Sequence, residues 1–138
     1  MPISRRKLSV LLPALAAGQS TKKPPLNSKT FPFDQLVVKK NAQNISRAVM
    51  DGTTHTGYPI DMHITELAPG MMPHEAHSHV HEEMMCIFEG TMEVTISGKT
   101  TKLGPGSSAF IASNEHHGWK NVGTTNARYF VFAFGRER

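Results

Sequence analysis

From Asp34 onward, short apolar stretches are broken every several residues by Gly, Pro or Asn, and no stretch sustains a helical period. That rhythm predicts an all-β domain. The clearest alternation is Met92-Glu93-Val94-Thr95-Ile96-Ser97, which puts Met92, Val94 and Ile96 on one face and the polar residues on the other. It follows a strand at 83–88 across Glu89-Gly90-Thr91, a turn suited to a hairpin. Further strands are expected at 35–39, 45–50, 60–67, 100–103, 108–111, 118–121 and 128–134. Between them lie Pro69-Gly70, Ser97-Gly98, Gly104-Pro105-Gly106 and Val122-Gly123, where glycine supplies the positive φ of tight turns. So many short strands imply a sandwich or a closed barrel. The last one, Tyr129-Phe130-Val131-Phe132-Ala133-Phe134, is apolar on both faces and is expected to be covered by a partner sheet or a second subunit, making a homodimer.

The N-terminus follows a different pattern. Ser4-Arg5-Arg6-Lys7 precedes an apolar run, 8–17, and then small residues, so residues 1–18 resemble a twin-arginine export signal and imply a periplasmic or exported protein. If the segment is instead an ordinary tail, the protein is cytoplasmic. The run is too short for a bilayer-spanning helix of about 20 residues, so no stable membrane anchor is expected. Residues 19–32, rich in Pro, Lys, Ser, Thr and Asn, read as a linker or extended arm, and residues 33–138 as one domain.

Composition narrows the function classes. The chain has 138 residues, a size for one core, with 38% hydrophobic and 19% charged residues. Its formal charge of +4 owes much to Arg5, Arg6 and Lys7; removing these three from 15 basic residues leaves 12, against 11 acidic. No basic run interleaved with aromatics remains, so nucleic acid is not an expected partner. The single cysteine, Cys86, excludes an internal disulfide and reads as a small buried hydrophobe within Met84-Met85-Cys86-Ile87-Phe88.

The segment His77-Ser78-His79-Val80-His81-Glu82-Glu83 concentrates metal-capable side chains. On an extended backbone residues 77 and 79 share a face, and Glu83, at an even offset, returns to it. Two imidazoles and a carboxylate would suit a first-row divalent ion.

The order His77-x-His79-x-x-x-Glu83, six residues, then Gly90 resembles the first conserved motif of the cupin family, with Gly70 one residue further upstream than usual. Gly106, five residues, then Ala112-x-Asn114-x-x-His117-x-x-x-Asn121 resembles the second. Ala112 stands where proline is usual and Asn114 where glycine is, a place asparagine can fill because it tolerates left-handed backbone. The resemblance implies a double-stranded β-helix, or jelly-roll, barrel whose metal ligands are His77, His79, Glu83 and His117. It places His116 outside the ligand set. His81 falls on the ligand parity and is expected to orient a ligand. His55, His63 and His74 are expected to be ordinary polar residues near the rim, and Glu82 to face away from the site.

Four such ligands leave one or two positions open on an ion that prefers five or six. A closed structural zinc site would more often use Cys. Mn or Fe is the expected cofactor, with Ni or Zn admissible, since the twin-arginine route carries folded proteins and lets the ion be loaded before export. The expected function is that of a metalloenzyme acting on a small organic molecule, with oxidation by dioxygen ahead of isomerase, decarboxylase or lyase chemistry. The alternative is a non-catalytic, metal-dependent module that binds a small molecule or sugar. No feature fixes a catalytic base, although His81, Tyr129 and Glu75 are candidate proton carriers. Met62, Met72, Met85, Phe110, Trp119 and Phe132 are candidates for a pocket wall or for plain core.

Overall fold

The computed structural model describes residues 23–135. After a single 3-10 turn, Phe33–Gln35, come nine strands: β1 Val38–Lys40, β2 Asn44–Thr53, β3 Pro59–Leu67, β4 Glu82–Glu89, β5 Met92–Ile96, β6 Lys99–Leu103, β7 Ser108–Ile111, β8 His117–Asn121 and β9 Ala127–Phe134. A six-stranded sheet in the order β1-β2-β3-β9-β4-β7 faces a three-stranded sheet, β6-β5-β8. All the strand pairs are antiparallel. The residues expected to carry an export signal, 1–18, lie outside the described part.

Register decides which side chains look inward. Leu67 pairs with Ala127, Thr65 with Tyr129 and His63 with Val131, while Ile87 pairs with Tyr129 and Met85 with Val131. These odd-numbered residues form the concave face, because directly paired residues share a side of the sheet. Of these, Leu67, Met85, Ile87, Ala127, Tyr129 and Val131 make one buried core with Met92, Val94, Ile111 and Trp119. Each large apolar side chain fully buried there contributes about 1.5–3 kcal/mol. The polar tips in this core satisfy one another: Trp119 Nε1 donates to the Tyr129 hydroxyl at 3.0 Å.

Two turns show why the chain reverses where it does. Between β5 and β6, Ser97 (φ 47°) and Gly98 (φ 81°) both take positive φ, the two-residue hairpin whose twist matches its strands. At Gly90 (φ 83°) a β-carbon would lie 2.6 Å from the Ala127 backbone, so glycine is needed for space as well as conformation.

Two strands differ from the sequence expectation by more than one residue at an end. The strand expected at 35–39 begins only at Val38, after the 3-10 turn. The strand expected at 45–50 runs on to Thr53 past a bulge between Ala48 and Met50. Its extension is held from outside: Leu26 donates its backbone N–H to Thr53 O at 2.8 Å, and Thr53 donates to Pro24 O at 3.1 Å. Residues 23–26 therefore lie against the edge of β2, and Lys23 pairs there with Asp51.

Candidate metal centre

The ligand-bearing segment is not part of a regular strand. Gly70 N–H donates to Asn121 O at 2.9 Å and Asn121 N–H to Met71 O at 3.0 Å, while His77 and His117 exchange both backbone bonds at 2.9 Å. Residues 71–77 thus run alongside β8 and extend the smaller sheet on that side. Contact is close enough that a β-carbon on Gly118 would lie 2.9 Å from Ala76 Cβ. Asn121 locks the far end: its side-chain amide donates to Leu67 O (2.9 Å) and Thr125 O (2.8 Å), and its Oδ1 accepts from Gly123 N–H (2.9 Å). Asn114, in the turn before β8, adopts φ 64°, the left-handed geometry expected of it.

Glu83, near the start of β4, lies opposite Ile111 of β7 and Ala133 of β9 and so points into the barrel. Its Oε2 is 3.3 Å from His79 Nε2 and 3.3 Å from His117 Nε2. The accessible nitrogens of His77, His79 and His117 all lie within 4.8 Å of one another. The structure therefore brings all four expected ligands to one end of the barrel, with His117 wholly removed from solvent.

Each of these imidazoles is anchored in the same way. His77 Nδ1 donates to Glu75 O (3.1 Å), His79 Nδ1 to His81 O (2.8 Å) and His117 Nδ1 to Glu115 O (2.9 Å). A carbonyl oxygen can only accept, so Nδ1 carries the hydrogen and the Nε2 lone pair is directed inward. The Nε2 atoms of His79 and His117 are buried without a partner in hydrogen-bond geometry. Buried polar atoms are seldom left so. Three pinned imidazoles and a carboxylate, with two nitrogens otherwise unpartnered, form a donor set that fits a divalent transition ion.

The electrostatics favour positive charge beside Glu83. Burial alone pushes the Glu83 carboxyl up, but contact with His117 and the positive charge available on His79, His117 and His81 outweigh it, holding the group down to about 2. Burial likewise opposes protonation of His117, and Glu83 with the Glu115 carbonyl overcomes it, raising His117. His77 is lowered, by burial first and then by repulsion from His74, His117 and His79. A lowered imidazole is neutral near pH 7, the form that binds metal.

His81 stacks on His79, with ring centroids 3.7 Å apart and planes 6° from parallel, and its Nε2 is 3.5 Å from Glu83 Oε1. It stands where a residue orienting the carboxylate should stand. His116 is exposed and Glu82, paired with Phe134, faces the other side of the sheet. His74 leans its ring edge on His77 at 4.4 Å.

Four expectations need correction. Tyr129 is no proton carrier at the site: it is 1% exposed, its hydroxyl is engaged by Trp119, and burial pushes it well above the ordinary tyrosine range. Met62, Phe110 and Phe132 do not line the barrel interior. Met62 pairs with Phe132, and both Phe132 and Phe110 pair with Met84, so this row faces outward. His63 is not an ordinary rim residue; it lies on the concave face with its Nδ1 3.2 Å from Asp61 Oδ1. The period-two spacing of Asp61, His63, Thr65 and Leu67 was the available signal for it. Cys86, expected to be buried, is half-buried on the outer face.

A cupin domain model matches residues 63–133, just over half of the chain. The chain belongs to the cupin family. No curated protein sequence matches this cupin. Among solved structures it is similar to an RmlC-like cupin from Shewanella frigidimarina (19% identity, TM-score 0.65, covering 79% of this chain and 93% of that one). It is also similar to the polyketide cyclase RemF from Streptomyces resistomycificus (20% identity, TM-score 0.66, 80% and 82% covered). A third similar structure is KdgF from a Halomonas species (15% identity, TM-score 0.68, 80% and 96% covered). At these identities the likeness establishes the jelly-roll fold alone.

Proposed function

We propose that this cupin is a metalloenzyme acting on a small organic molecule, with one divalent ion held by His77, His79, Glu83 and His117. The observation that carries the reading is the set of three imidazoles whose Nδ1 atoms are all tied to backbone carbonyls, leaving three ligand nitrogens within 4.8 Å of one another, two of them 3.3 Å from the Glu83 carboxylate. When bound, the ion supplies Lewis acidity and, as Mn or Fe, access to dioxygen chemistry, with Ni or Zn the alternatives. The chain's residues set the ligands before the ion arrives, so little ordering cost remains on binding. A cavity of about 330 Å³, lined by residues of β5 and β6 and by Ser108 and Ala109 of β7 and by none of the four candidate ligands, lies next to the centre only through Ile96, the direct cross-strand partner of His117. Its size suits a small organic molecule.

Elemental analysis of protein isolated without chelators tests the reading. One transition ion per chain is expected in the wild type, and none in a His79→Ala variant that remains folded by circular dichroism. A wild-type protein that takes up no ion when offered Mn(II), Fe(II), Ni(II) and Zn(II) would overturn it.

We also infer that two copies meet on the outer face of the larger sheet. Met62, Phe132, Met84 and Phe110 form one apolar row across β3, β9, β4 and β7, and Met84 and Phe110 are 37% and 49% exposed. A contiguous apolar row of this kind favours association. Light scattering should give a dimer mass, and Phe110→Glu a monomer; a monomeric wild type at high concentration rules the dimer out.

A further inference from the structure

The concave face holds a second polar pair beside the candidate metal centre. Asp61 and His63 sit two residues apart on β3 and so point to the same side, where His63 Nδ1 lies 3.2 Å from Asp61 Oδ1. Both are partly open, at 34% and 41% exposure for His63 and Asp61.

Register fixes their relation to Glu83. Asp61 pairs with Ala133 on β9, and Ala133 pairs with Glu83 on β4. Asp61 and Glu83 therefore flank one alanine in a single row, two strand spacings or about 10 Å apart along the backbone. The facing sheet carries His117 and, beside it, His77. The pair thus shares the barrel end and the concave surface of the candidate ligands without belonging to them.

Its surroundings leave room. On β2 the residue opposite His63 is Ala48, and between Asp61 and Glu83 stands Ala133, so one small side chain borders the pair on each side, with Val131 completing the β9 side of His63. The charged groups facing it are Asp51, directly opposite Asp61 and neutralised by Lys23 of the arm, and Glu83 beyond Ala133. The carboxylate of Asp61 can only accept, so the His63 hydrogen resides on Nδ1 and its Nε2 is the basic atom.

We propose that Asp61 and His63 form a proton-transfer pair for a substrate held at the metal centre, and that the substrate is a compact organic acid with an acidic C–H next to a carbonyl or carboxylate. This rests on the metalloenzyme reading. His63 Nε2 takes the proton from carbon, and the electron pair left behind delocalises into the adjoining carbonyl. Asp61 stabilises the imidazolium through the Nδ1–H bond. The proton, or one exchanged for it with water while on Nε2, then returns from Nε2 to the carbon, leaving His63 as it began. A base held in this way contributes ~100-fold or more to such a step.

The test uses the full chain loaded with Zn(II) or Mn(II), with pyruvate, acetoacetate and malonate as probes. Exchange of their C–H protons for deuterium in D₂O is followed by NMR. The loaded wild type should exchange at least one probe, and His63→Gln and Asp61→Asn should each lose the exchange ~100-fold while keeping the wild-type metal content. Independently of turnover, long-range ¹H–¹⁵N spectra of the Zn(II) form should show the His63 hydrogen on Nδ1, moving toward Nε2 in Asp61→Asn. Unchanged exchange in His63→Gln, no exchange of any probe by the loaded wild type, or a wild-type His63 protonated on Nε2 would each overturn the proposal. A wild type that binds no ion defeats the metalloenzyme reading instead, and metal content separates the two failures.

Discussion

Glu83 Oε2 lies 3.3 Å from His117 Nε2, an imidazole fully buried beneath the barrel mouth. The contact joins β4 of one sheet to β8 of the other, so it ties the two halves of the barrel at the point where an ion would be held. Charge on Glu83 is what makes it work, because burial otherwise disfavours positive charge at the imidazole, whether a proton or an ion brings it. Glu83→Gln keeps the shape and removes the charge. Affinity for Mn(II) or Zn(II), measured by competition with a chelator, should fall by ~10–100-fold or more, the range that even a ligand's outer partner commands.

Gly118 should behave as a positioning residue for the metal segment. A β-carbon there would lie 2.9 Å from Ala76 Cβ and 3.2 Å from its Cα, so residues 76 and 77 must move away from β8. Gly118→Ala is expected to remain folded and to bind metal ~10-fold more weakly, by the same chelator competition. Equal affinity in the variant would show that His77 adapts without loss.

Asn121 carries more stability than its polarity suggests. It is fully buried and spends both amide hydrogens and its carbonyl oxygen on the backbone of residues 67, 125 and 123. Asn121→Ala leaves those groups without partners, a loss of about 2–4 kcal/mol in urea unfolding. The penalty should be the same with and without metal if the role is structural.

Acid sensitivity should trace in part to Glu66. Its carboxylate, on the outer side of β3, accepts from Arg128 Nε at 2.9 Å and Asn126 Nδ2 at 2.9 Å, with Arg47 3.7 Å away. Burial pushes the group up, and these partners outweigh it and hold it below its ordinary value of 4.5. A lowered carboxylate contributes stability that is present above the unfolded value and lost as pH falls through the folded one. Glu66→Gln should therefore be about 1–3 kcal/mol less stable than wild type at pH 7, and the gap should close below pH 4.5. A pH-independent gap would assign the effect to packing.

All nine strands were legible in the sequence because alternation and glycine turns are local properties. Local pattern also showed that His77, His79 and Glu83 could share a side, and the family resemblance added His117. What it could not show was the support. The inward set of Nε2 atoms depends on carbonyls of Glu75, His81 and Glu115, whose directions follow from backbone geometry rather than residue type. Residues 71–77 fall outside the expected strands because their partner, β8, is some 40 residues away and the pairing is visible only in three dimensions.

The sequence by itself determined that this chain is all-β and carries a cupin-type set of metal-capable side chains, since side-chain chemistry and period-two spacing are written one residue at a time. Only the tertiary structure decided which face each apolar residue occupies, turning Phe110 and Phe132 outward and His63 inward. Inside and outside are properties of a closed sheet, fixed by register across strands, and a single strand has no inside until its neighbours pair with it.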